Sequence, residues 1–261
     1  MTSIRRDIFS FLKTPDYNRF PNMSDEKELL ILLKVFILTN IGLVIVSIPT
    51  LILKKWEIIS EIPMKSDLIL NSIQAHNIGF KPYFIFSVLL CIPLLEEFSF
   101  RLFLTKFRID YFIISVSIFC GIIIKYLLGN IFWIPQSWLL LSFIGTIYML
   151  LIGSLIAGIL FLFKNKIIRI EEFWNKNMGL IIYGVAILFA FMHLMNLKFE
   201  MRDLIFMPVV LLPLFVYGLS FAYLRIRLGI IYSIALHFIT LAIRFGVPEL
   251  TNYLKSFNSN L

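Results

Sequence analysis

Glu96 and Glu97 stand side by side, with Arg101 four residues after Glu97, inside a run from Pro82 to Leu104 that is otherwise built to live in lipid. An ionisable side chain at mid-bilayer costs roughly 2.5–3.5 kcal/mol on insertion scales, so a cluster of them demands a use. On a helix Glu97 and Arg101 share a face and can pair, while Glu96 is turned about 100° away. One carboxylate can neutralise the guanidinium and leave the other for chemistry. His193 and His237 place two imidazoles in later apolar runs; His76 falls in a mixed stretch and reads as solvated. Desolvation and the like charge of Glu97 favour the protonated form of Glu96, and Arg101 pulls the other way, a balance suited to a general base. A water held between Glu96 and His193 could be deprotonated and aimed at a carbonyl, with the second imidazole donating to the oxyanion. Glu96, His193 and His237 could instead be three ligands of a catalytic divalent metal such as zinc, leaving one position open. No HExxH motif stands behind the zinc route, and the residues alone do not choose between the two.

The elements that must carry these residues are helices. The 261-residue chain is 59% hydrophobic with a mean hydropathy of +0.90. Its apolar runs predict an all-α, polytopic transmembrane helix bundle of about seven spanning helices plus an interfacial segment. The expected spans are Leu29–Leu53, Pro82–Lys106, Tyr111–Ile134, Trp138–Phe163, Met178–Leu197, Leu204–Leu224 and Leu228–Phe245. At about 1.5 Å per residue, Glu97, His237 and His193 would lie about 15, 13 and 22 Å from one membrane face, compatible with a common depth. Residues 54–81 mix charges with apolar side chains and include Pro63, an interfacial connection too broken to span. Gly153/Ala157 and Ser154/Gly158 repeat small residues at four-residue spacing, which reads as close helix packing.

Residues 1–28 carry five basic and five acidic side chains and read as a cytoplasmic polar arm with a short helix near Asp7–Leu12. Asp25 and Glu28 have the spacing of a capping box opening the first span, and that span is expected to serve as its own insertion signal. Residues 29–250 form a single transmembrane domain, and 251–261 a short polar tail. The loop 164–177 repeats the acid–acid–basic spacing as Glu171, Glu172 and Lys176. There the charges are solvated and cost nothing, so burial rather than spacing distinguishes the two copies.

The net charge of +8 collects between apolar runs, where it records topology and not a nucleic-acid partner. Thirteen Lys and Arg flank the amino-terminal side against eight on the other, which places the N-terminus in the cytoplasm and the chain in a membrane such as the bacterial inner membrane. Cys91 and Cys120 both fall in apolar runs without a CxxC partner and read as packing residues. The expected partners are membrane lipid and a peptide or membrane-protein substrate.

Glu96-Glu97-x-x-x-Arg101, then Phe189-x-x-x-His193 continuing to Leu194 and Asn196, then His237 in a later apolar run, resembles the CPBP family. These are the CAAX-protease-like and bacteriocin-processing-type intramembrane peptidases, also called Abi proteins. The resemblance covers the second span and the fifth to seventh. It implies that Glu96 activates water with Glu97 and Arg101 as its supporting pair. It further implies that His193 helps hold the water or a metal, with Phe189 packing one turn below, and that His237 serves the oxyanion or acts as a second ligand. Two departures stand out. The family's third motif is usually His-x-x-x-Asn, whereas Leu241 occupies that fourth position here, leaving Thr240 or Asn196 as other donors. Two additional spans also separate Glu97 from His193. The expected function is an intramembrane endopeptidase. The alternatives are a catalytically inactive scaffold or immunity-type protein of the same fold, motivated by Leu241, and an ion-coupled transporter using the same buried acids.

Overall fold

The computed structural model describes residues 4–20, 23–59, 90–131, 138–196 and 201–246. The amino-terminal part of the second expected span, most of the interfacial connection with His76, and the polar tail lie outside the described residues. The described regular elements are helices: α1 (Ile4–Lys13), α2 (Asp25–Lys55), α3 (Ile92–Phe100), α4 (Ile109–Ile131), α5 (Trp138–Leu162), α6 (Lys164–Ile167), α7 (Ile170–Lys176), α8 (Met178–Met192), α9 (Met207–Arg227) and α10 (Ile230–Leu241). Asp25–Lys55 and Asp203–Arg227 are each long and apolar enough to cross a membrane. The pair Met149–Leu162 and Lys164–Lys176, bent by 71°, qualifies if taken as one broken span, and shorter apolar helices occupy Ile109–Ile124, Met178–Met192 and Ile230–Arg244. On α2 the side chains of Leu33, Ile37, Ile41, Val44, Ile48 and Leu51 are exposed, the arrangement expected where lipid is the solvent. The chain is an all-α integral membrane protein.

By packing, the chain divides into two compact units, one made of Met1–Pro93 with Gly179–Leu261 and the other of Leu94–Met178. In the second unit α4 and α5 lie against each other over a long seam. Gly121 sits so close to α5 that an added Cβ would stand 2.7 Å from the Met149 carbonyl oxygen, and one on Gly153 would stand 3.3 Å from that of Ser117. Gly153 therefore packs as its spacing suggests, whereas Gly158 meets nothing within 4 Å and Ser154 is exposed. The stretch expected as a polar loop after α5 is helical, forming α6 and α7. Glu171 and Glu172 are exposed there, while Trp174 is buried.

In the first unit α2 lies along α9, and α9 turns back into α10. Thr39 donates to Ser220 Oγ at 2.8 Å between α2 and α9, and Gly42 faces Val216. Small and hydroxyl side chains bring helices together where apolar burial gives no preference over lipid. The α9–α10 turn passes through Gly229 at φ +123°, a region that side-chain-bearing residues rarely adopt. The expected capping box is absent: Ser24 precedes α2 without a side-chain cap bond, and Glu28 instead accepts the Tyr232 hydroxyl.

The arm is folded, and its helix is longer than expected. Arg227 is buried at the end of α9, where charge cannot stay unmatched. It donates from Nε to Asp7 Oδ2 at 3.0 Å, from Nη2 to Asp7 Oδ1 at 3.2 Å, and from Nη1 to Asp16 Oδ1 and the Asn18 carbonyl. Tyr223 donates to Asp7 Oδ2 at 2.7 Å. Phe11 is buried edge-on against Tyr223, with the Arg227 guanidinium over its ring. Arg19 and the Phe20 amide close the strap onto the carbonyls of Leu228 and Arg227. Partial burial disfavours the Asp16 carboxylate, but hydrogen bonds from Arg227 and the Asn18 amide, with the Arg227 charge, outweigh it and hold the carboxyl below its ordinary value.

A depressed carboxyl contributes to docking above its unfolded value, 3.8 for Asp16, and loses that contribution as pH falls through the lower folded value. Amide exchange over residues 4–20 should therefore stay slow at mildly acidic pH and accelerate only below 3.8, and Arg227→Gln should make it fast at neutral pH. In the other unit, Gly121→Val should lower stability by about 2 kcal/mol in a detergent melt, while Gly158→Ala should leave the melt unchanged.

Candidate active site

The acid pair is built on α3 and the turn after it. The Arg101 amide donates to the Glu97 carbonyl at 2.9 Å, closing a last helical turn that stacks their side chains. Arg101 Nη1 meets Glu97 Oε1 at 3.0 Å, and both side chains are 0% exposed. The guanidinium also lies over the Phe100 ring, 5.5 Å from its centroid. Glu96 is only partly buried, one residue round the helix from that bond, and near enough for its charge to act on Arg101. The helix was expected to continue to Lys106. It ends at Phe100 because the chain turns to bury Leu104 and to set Phe103 and Phe107 against Trp174. Ser115 on α4 donates to the Phe98 carbonyl at 2.7 Å, and Phe119 packs edge-on to Phe100. The helices α4 and α5 between the two motifs thus belong to the same unit as the acid pair, and α4 braces its helix.

The imidazoles belong to the other unit. His193 stands at the first residue of a 3₁₀ turn after α8, not inside a continuous spanning helix. Its Nδ1 is 2.8 Å from the Phe189 carbonyl oxygen. A carbonyl only accepts, so Nδ1 carries a proton and donates to it. His237 on α10 is buried. It stacks on Phe221, with centroids 4.7 Å apart and planes at 19°, and meets the edge of Phe189 at 6.3 Å. Phe189 contacts the His193 ring at 4.5 Å, so one phenyl ring touches both imidazoles. Ser233 donates to the Phe221 carbonyl at 3.0 Å and pins α10 to α9 beside that stack.

Phe221 and Ser233 cannot be singled out from the sequence, because an aromatic and a serine in apolar helices carry no signal of their own. Thr240 donates to the Leu236 carbonyl at 2.8 Å, so its proton serves its own helix and not an oxyanion. The Asn196 side chain lies outside the described residues. Among the described residues no group of three or more His, Cys, Asp or Glu side chains could hold a metal ion. Glu96, Glu97 and Arg101 come together in one unit, and His193 and His237 in the other.

Residues 161–243 match the model of the family described as Rce1-like, type II CAAX prenyl endopeptidase. The match supports assigning the chain to the CPBP family of proteases. It contains Phe189, His193, Phe221 and His237, covers less than half of the chain, and leaves the acid pair outside it. No curated protein and no solved structure matches the chain.

Removing one member of a fully buried ion pair costs about 3–5 kcal/mol, because the other charge keeps its desolvation penalty. Arg101→Met should therefore destabilise the protein by that amount in a detergent melt. Glu97→Gln combined with Arg101→Met should recover most of the loss.

Proposed function

We propose that the chain is an intramembrane endopeptidase that hydrolyses a peptide bond with a water activated by Glu96. The observation that carries the reading is the family match over the stretch holding Phe189, His193 and His237. In the proposed reaction Glu96 takes a proton from water and the resulting hydroxide adds to the carbonyl carbon. His193 accepts a hydrogen bond from that water at Nε2, and His237 donates to the oxyanion. Collapse of the tetrahedral intermediate breaks the C–N bond, and the leaving amine takes the proton back from Glu96. Glu97 is engaged by Arg101 and supports Glu96 without touching substrate. Phe221 and Phe189 hold the imidazole planes.

The reading keeps seven crossings, with the amino terminus cytoplasmic. The family's name describes endopeptidases acting on prenylated CAAX termini. For this chain the corresponding proposal is a peptide presented at the membrane. No step is routed through a metal.

Purified protein in detergent, challenged with a peptide library, should yield products, and Glu96→Gln should reduce their rate about 10³-fold, within the range for loss of a general base. Cleavage should persist in excess chelator. Unchanged cleavage by Glu96→Gln would remove the proposed base, and chelator-sensitive activity restored by zinc would replace the metal-free route.

A further inference from the structure

The two sides of α1 are chemically opposite. Its inner side carries Asp7 and Phe11 against Tyr223 and Arg227. Its outer side carries Arg5, Phe9 and Lys13, each four residues from the next and so in one row along the helix. All three are exposed, Phe9 by 72%. Arg6 and Arg19 are exposed beside them. Within residues 4–20 the two acids, Asp7 and Asp16, are both bonded to Arg227. The outward charge of residues 4–20 is therefore cationic, because the two carboxylates of that segment are committed inward.

The level at which this face is held follows from what holds it. Arg227 is the last residue of an apolar helix long enough to cross a membrane, so the arm it clamps sits where the chain leaves the apolar layer. An exposed aromatic at that level is out of place in water. Between two cations it fits the interface, with the ring among glycerol and upper acyl groups and the cations on phosphate. A single row, one aromatic wide, offers no groove for a folded partner.

We propose that the outer face of α1 docks on anionic phospholipid headgroups of the bilayer that the protein spans, through Arg5 and Lys13, with Phe9 inserted between them. Because the same helix carries Asp7 on its inner side, this contact holds the arm against the α9–α10 turn, two helical turns from the Phe221–His237 stack. The proposal is independent of the peptidase reading, and its test does not use cleavage.

The test places a spin label at Phe9→Cys in the full chain, with Cys91 and Cys120 replaced by alanine. The protein is reconstituted in nanodiscs of phosphatidylcholine alone or of phosphatidylcholine with phosphatidylglycerol. Collision with oxygen against a water-soluble nickel chelate reports depth. The label should be immersed in the phosphatidylglycerol discs and water-exposed in phosphatidylcholine. In Arg5→Gln with Lys13→Gln it should be water-exposed in both, and Arg5→Lys should behave like the parent. These side chains are exposed, so their exchange leaves the inner contacts to Tyr223 and Arg227 in place. Equal depth in the two bilayers, or immersion of the double glutamine variant, would overturn the proposal.

Discussion

The bond between Glu97 and Arg101 is the constraint on which the site depends. Two full charges buried on one helix survive only as a pair, since their mutual attraction must offset the desolvation of both. The four-residue spacing supplies the geometry, and the turn at the end of α3 completes it. Its chemical consequence falls on the neighbour. With Glu97 bound to Arg101, Glu96 is the carboxylate of the pair that lies only partly buried. Beyond the end of α3, Phe103 and Phe107 set their rings against Trp174, which is buried on a helix whose other side chains are exposed.

The imidazoles are held by different means. Aromatic packing and one backbone carbonyl contribute to their placement. Phe189 gives its carbonyl to His193 and the edge of its ring to His237, and Phe221 lies flat against His237. These contacts set the ring planes. The hairpin that carries Phe221 and His237 is tied in turn at its base, where Arg227 draws in Asp7 and Asp16 of the amino-terminal arm. Electrostatics at the membrane boundary thus secures a hairpin whose interior is held by apolar stacking.

Much of this was legible in the chain itself. The apolar runs gave the helical class, since composition alone leaves lipid as the solvent, and the spacing of Glu97 and Arg101 gave their pairing. His193 stood out as an imidazole in an apolar run, and Phe189 only through the resemblance to the CPBP motif. The helix ends were less legible: α3 stops at Phe100 and α8 gives way to a 3₁₀ turn at His193, both under packing that no local pattern records. The arm was the largest surprise. Nothing local marks Asp7 and Asp16 as paired, because Arg227, their partner, lies more than two hundred residues away. Phe221 and Ser233 were invisible for a related reason, since their roles exist only once α9 and α10 lie together.

The central claim is a division of labour between adjacent carboxylates, Glu97 holding structure and Glu96 moving a proton. The most direct measurement compares peptide cleavage by two proteins: Glu96→Gln with the ion pair intact, and Glu97→Gln/Arg101→Met with Glu96 intact. The account predicts that the second retains activity within about tenfold of the parent while the first falls far below it, as loss of a general base requires. The reverse order, with the double variant dead and the Glu96 variant active, would contradict it.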